Sequence, residues 1–122
     1  MTLPPDWTEL VPKLEAHPDD YRVTKHRWGA FHGMPLDAFL RERGVTRVVL
    51  TGVATSMGVE STARNAHERE HERGYNVALV VDAMTDLDIE AHRYSVEKIF
   101  SLLGETTTTA EVLARLDGDP AR

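Results

Sequence analysis

Cysteine is absent from the 122 residues, which closes the chain to disulfides, thiolate nucleophiles, cysteine-ligated zinc and iron–sulfur clusters. That absence agrees with a reducing compartment. A basic excess is missing as well: Lys+Arg 14 against Asp+Glu 20 leave a formal charge of −6. With no Lys/Arg block and no aromatic residues interleaved with bases, nucleic acid and anionic membrane surfaces are not expected partners. No apolar run approaches the roughly 20 residues of a membrane span, and Met1-Thr2-Leu3-Pro4-Pro5-Asp6 lacks the basic start of a signal peptide. The expectation is a cytoplasmic protein of a single domain, 1–122, with no cofactor motif.

What is present alternates between two hydrophobic periods, the pattern of α/β units joined by crossovers. Residues 6–17 place Trp7, Leu10, Val11 and Leu14 at helical spacing before Pro18 stops them, which predicts a short helix. Tyr21-Arg22-Val23-Thr24-Lys25 is strand-like, and Gly33 with Pro35 opens a helix whose Leu36, Phe39 and Leu40 share a face and which ends at Gly44. The β-branched run Arg47-Val48-Val49-Leu50-Thr51-Gly52-Val53 reads as a parallel strand buried on both faces. Ser56 is placed to cap a helix running from about Met57 to Gly74. Asn76-Val77-Ala78-Leu79-Val80-Val81 is a second buried strand, with Asp82 to Thr85 leaving its carboxyl end. A helix from Asp88 to Gly104 carries Ile89, His92, Val96, Ile99, Phe100 and Leu103 on one stripe. The Thr106 to Thr109 run reads as a strand end plus cap. Thr108-Thr109-Ala110-Glu111 forms a capping box for a last helix through Leu116, and residues 117–122 are expected to fray.

Two motifs invite chemistry. His67-Glu68-Arg69-Glu70-His71 matches the H-E-x-x-H zinc pattern, yet it arises from a tandem His-Glu-Arg-Glu/His-Glu-Arg-Gly repeat, and Val77 stands where a third histidine would fall. A solvated helix face explains it better, so no metal is expected. Gly52 to Gly58 joins a strand to a helix without matching either nucleotide-loop pattern; a tight turn that aims backbone N–H groups into a site remains. His92, on an apolar stripe, reads first as a satisfied core histidine. Lys25 closes its strand beside His26, Arg27 and Trp28, and is either a surface lysine or a partly buried amine at a site.

Three consecutive segments, Val23-Thr24-Lys25-His26-Arg27-Trp28-Gly29-Ala30-Phe31, Leu36-Asp37-Ala38-Phe39-Leu40 and Val48 through Arg64, resemble the isochorismatase-like hydrolase family in order and spacing. The likeness continues through Gly74-Tyr75-Asn76-Val77 and Asp82-Ala83-Met84-Thr85-Asp86 to Leu103-Gly104-Glu105. It implies a Rossmann-like parallel sheet flanked by helices, of which this chain lacks the first two strands, the central one included. The resemblance further implies an Asp–Lys–Cys triad for amide hydrolysis, in which the lysine falls on Lys25 and the nucleophile on Gly58. It also implies a cis Val53–Ala54 peptide, with an oxyanion cradle from Val53, Ala54 and Gly58, the donors being the Ala54 and Gly58 amides. Trp28, Phe31, Thr55 and Ser56 are the substrate-binding candidates. Glycine at the nucleophile position also occurs in true isochorismatases, which cleave a vinyl ether by proton transfer and water attack. The His-Glu-Arg-Glu duplication adds about one helical turn, roughly 6 Å, to the helix after Gly58.

Two readings follow. One is a hydrolase-family protein for a small carboxylate or amide substrate, inactive or weak as this chain alone. The other is a non-catalytic protein that keeps the fold for small-molecule binding or association. In both, a missing central strand leaves one edge of the strand Arg47–Val53 open, so a homo-oligomer is expected.

Overall fold

The computed structural model describes residues 2–7, 9–31, 35–73 and 75–118, with backbone only for residues 69–73. Three parallel strands lie in the order β1 (Arg47–Val53), β2 (Asn76–Thr85) and β3 (Glu105–Thr107). Helices α1 (Leu36–Glu42), α2 (Glu60–Arg73), α3 (Ile89–Tyr94), α4 (Phe100–Leu103) and α5 (Thr109–Gly118) fill the connections. This is the α/β arrangement expected from the alternation of periods, with the Rossmann-like parallel sheet that the resemblance implies.

Packing follows from small residues on α2 and Val59 just before it, against large ones on the sheet. Val59, Ala63 and Ala66 recur at intervals of four and three, so they share one helical face and let the backbone approach Tyr75, Val77 and Leu79 closely. Phe31, Phe100 and Leu103 close the same core. Tyr75 is buried but keeps its hydroxyl satisfied by donating to Asp37 Oδ1 at 2.8 Å, which ties α1 to the start of β2. After Arg43 the chain turns at Gly44, whose φ of 68° favours glycine. Gly52, at φ 124°, marks an irregularity: the register runs Arg47↔Asn76 to Leu50↔Leu79, then resumes at Gly52↔Met84. Two residues of β1 thus span five of β2.

Several expectations are corrected. Among the described residues of 6–17 there is no amphipathic helix: the one helical segment is a 3₁₀ turn at Pro12–Leu14, and Trp7, Leu10, Val11 and Leu14 are all exposed, so their stripe has no covering surface among the described residues. Residues 21–25 form no strand and join no ladder. Tyr21 instead stacks on Phe39, with ring centroids 3.6 Å apart. β1 is not buried on both faces, since its residues alternate between exposed and half-buried. Among the described residues it pairs with β2 alone, and Val49 and Val53 stand 47% and 67% exposed. β2 runs on to Thr85 instead of ending at Val81. The helix after Asp88 is interrupted by a π-helical turn at Ser95–Ile99, and Ile89 lies outside the core.

Asp88 caps α3 by accepting from the Glu90 amide at 2.9 Å. The capping box before α5 is half formed: Thr108 Oγ1 accepts from the Glu111 amide, while the Glu111 carboxylate accepts from Thr107 instead. α5 continues through Asp117 to Gly118, so fraying does not begin at 117, and the expectation for 119–122 lies outside the described residues.

Candidate active site

At the carboxyl end of β1 the chain passes through a cis Val53–Ala54 peptide into a π-helical turn, Thr55–Val59, that opens α2. The amides of Met57 and Val59 both donate to the Ala54 carbonyl at 3.1 Å, which winds the turn tightly at the helix entrance. Ser56 does not cap this helix. Its amide and hydroxyl donate to Asp86 Oδ2 at 2.8 and 2.6 Å, across from the end of β2. Chiefly through the Ser56 hydroxyl, with the backbone amides of Ser56 and Asp88 adding to it, these bonds hold the Asp86 carboxyl down at about 2. Thr55, fully buried, is hydrogen-bonded through Oγ1 to His92 Nδ1 at 2.7 Å. His92 is therefore satisfied, as its place on the stripe suggested, and it is satisfied by the turn itself.

Lys25 meets this turn from the other side. Its Nζ donates to the carbonyls of Trp28 at 2.9 Å and Arg27 at 3.3 Å. A Cβ built on Gly58 would sit 3.4 Å from that same Nζ and 3.4 Å from the Trp28 carbonyl oxygen, ordinary contact distances. The ammonium thus faces position 58 directly, and glycine there leaves a vacant side-chain volume. Lys25 is exposed, not partly buried, because the edge of β1 beside it is uncovered. Among the described residues no carboxylate lies within 4 Å of it. Asp82 is remote in function: it accepts from the Thr109 amide and hydroxyl at 2.8 and 2.9 Å and caps α5.

A groove of about 440 Å³ follows β1 and ends at Lys25 and Gly58. Its walls are mainly apolar, built from Phe31, Leu36, Leu40, Val48, Leu50 and Val59, with Arg47 also in the lining. Of the four substrate-binding candidates, Phe31 lines this groove and is otherwise packed against Tyr75. Trp28 is exposed, lines an adjoining depression with Arg27 and Asn65, and offers its carbonyl to Lys25. Thr55 and Ser56 have their hydroxyls engaged by His92 and Asp86. Neither pairing was expected from the sequence: His92 stood out by its place on the apolar stripe, and Asp86 only as part of the Asp-rich stretch after β2. Among the described residues no group of three or more His, Asp or Glu could hold a metal ion, and the side chain of His71 lies outside the described residues.

The isochorismatase domain profile matches residues 1–111. The chain belongs to the isochorismatase family. It is 43% identical over 114 residues to the uncharacterized isochorismatase family protein YwoC of Bacillus subtilis, covering 93% of this chain and 58% of that protein. It is 37% identical over 114 residues to the ureidoacrylate amidohydrolase RutB of Methylobacterium radiotolerans, covering 93% and 42%. Among solved structures, an isochorismatase family protein from Burkholderia thailandensis superposes with a TM-score of 0.85 at 46% identity, covering 95% of this chain and 59% of that one. The chain spans about half the length of the curated relatives it matches. No helix among the described residues is long and apolar enough to cross a membrane.

Proposed function

We propose that the groove along β1 binds a small carboxylate- or amide-bearing molecule, with its anionic or carbonyl oxygen between the Lys25 ammonium and the backbone amides of Ala54 and Gly58. The observation that carries this reading is Lys25 Nζ, held by the Trp28 carbonyl at 2.9 Å and facing position 58 at the end of an apolar groove. A concave, mainly apolar wall that also carries the cations Lys25 and Arg47 suits a small ligand with an anionic or carbonyl head. The similarity to a ureidoacrylate amidohydrolase supports the same class, because ureidoacrylate carries both a carboxylate and an amide-like carbonyl. With glycine at position 58 and no cysteine in the chain, no thiol attack occurs; proton transfer with water attack is the chemistry that fits. Lys25 has no carboxylate partner within 4 Å among the described residues, so turnover by these residues alone is expected to be undetectable.

Titration of the 122-residue chain with ureidoacrylate, followed at the Ala54 and Gly58 amides by NMR, tests this. Both amides should shift together, and Lys25→Met should weaken binding at least about tenfold. Unchanged amides at millimolar ligand would overturn it.

A second reading concerns assembly, favoured by the open edge of β1 and its exposed Val49 and Val53. We propose that two copies associate through this edge. Light scattering coupled to size exclusion over a concentration series should show a dimer that Val49→Lys dissociates. A monomer at every concentration would refute it.

A further inference from the structure

The amide turn is gripped from outside its own helix by a closed ring of side-chain bonds. Ser56 donates twice to Asp86 Oδ2, at 2.8 and 2.6 Å. Asp86 Oδ1 accepts from the Asp88 amide at 3.1 Å, and Asp88 in turn caps α3. One turn along α3, His92 reaches back to the Thr55 hydroxyl at 2.7 Å. Beyond it, Ser95 Oγ donates to Glu60 Oε1 at 2.7 Å and fastens the same helical segment to the start of α2. Thr55 and Ser95 are both buried, and a buried hydroxyl stripped of its partner costs more than the bond itself is worth in water. The ring is therefore held to one arrangement, and the residue that closes it is His92.

We propose that His92 is the positioning residue of the amide turn: through Thr55 it fixes the orientation in which the Ala54 and Gly58 N–H groups face the ligand. The inference rests on the ligand reading above for its second half only. A core histidine that merely fills space would lower overall stability and leave the turn's local opening, relative to the rest of the fold, unchanged. A positioning residue changes that local opening. His92 touches no ligand in this scheme; it acts through Thr55.

Two variants separate the possibilities. His92→Phe keeps the ring volume and removes Nδ1. His92→Asn restores a short polar group close to where Nδ1 lies. Hydrogen exchange at the Met57 and Val59 amides should rise about tenfold in His92→Phe relative to the core Leu79 amide, while His92→Asn stays within about threefold of the parent. Ureidoacrylate affinity should follow the same order. Exchange unaltered by His92→Phe, or His92→Asn behaving as badly as His92→Phe, would overturn the proposal. Should the parent bind no ureidoacrylate while His92→Phe still loosens the turn, the ligand reading fails and the positioning stands. Should the parent bind and His92→Phe change neither readout, the positioning fails. If His92→Phe does not fold, Thr55→Val removes the other partner of the same bond and is read by the same exchange ratio, with the same outcome deciding.

Discussion

Replacing Gly58 by cysteine places a thiol in front of a lysine in a protein that has no other thiol. The new Cβ meets Lys25 Nζ at 3.4 Å, the Trp28 carbonyl at 3.4 Å and the Val53 carbonyl at 3.5 Å, so the Cβ is accepted at contact distance. With the sulfur about 4 Å from the ammonium, attraction between thiolate and ammonium amounts to about 1 kcal/mol in a watery environment and about 4 kcal/mol at an effective dielectric of 20. One pKa unit corresponds to about 1.4 kcal/mol. Lys25 is exposed, so the weak end applies, and the thiol should titrate at about 7.8 instead of about 8.5. The pH dependence of iodoacetamide alkylation measures this directly, because the introduced thiol is the sole one. In Gly58→Cys/Lys25→Met the midpoint should return to about 8.5.

Identical midpoints in the two proteins would refute the placement of Lys25. Amide hydrolysis should stay undetectable even with the thiolate formed, because among the described residues no carboxylate beside Lys25 is poised to move the proton. Asp86 is committed to Ser56, and Asp82 to Thr109. Robust amide turnover by Gly58→Cys would show that another carboxylate has taken that role.

Four further outcomes are expected. A Cβ on Gly104 would overlap the Val77 carbonyl oxygen, so Gly104→Ala should lower stability by about 1–3 kcal/mol or more, read as a reduced urea midpoint; an unchanged midpoint would contradict the packing of α4 against β2. Leu79, fully buried between α2 and the sheet, should cost about 2–5 kcal/mol when cut to alanine. The Asp86 carboxyl, depressed to about 2, stabilises the fold above its unfolded value near 3.8 and loses that contribution as pH falls toward 2. A carboxyl-carbon NMR titration should show this, and Ser56→Ala should move the midpoint upward. Finally, protein purified without added zinc should carry none, and titration at neutral pH should find no stoichiometric site tighter than micromolar; one zinc per chain lost in His71→Ala would overturn the repeat reading of the histidine motif.

The order of elements was legible because burial imposes a period: the β-branched run of β1, the apolar run of β2 and the stripe ending at Phe100 and Leu103 each declare their type locally. Lys25 and the Gly52 to Gly58 turn were legible through spacing and family resemblance, and the cis Val53–Ala54 peptide falls where that resemblance puts it. Strand-like composition misled at residues 21–25 and helical spacing at 6–17, because neither a ladder nor a helix face is stable without a partner surface. The same reason undid the two-sided burial of β1, since an edge is a property of what lies beside a strand and not of the strand's own residues. The side-chain partnerships of the site were illegible throughout. Thr55 with His92, Ser56 with Asp86 and Thr109 with Asp82 are separated by 37, 30 and 27 residues. A single hydrogen bond across such a distance leaves no periodic trace, so only the folded chain, by bringing the ends of β1, β2 and α3 together, decided which polar groups would meet.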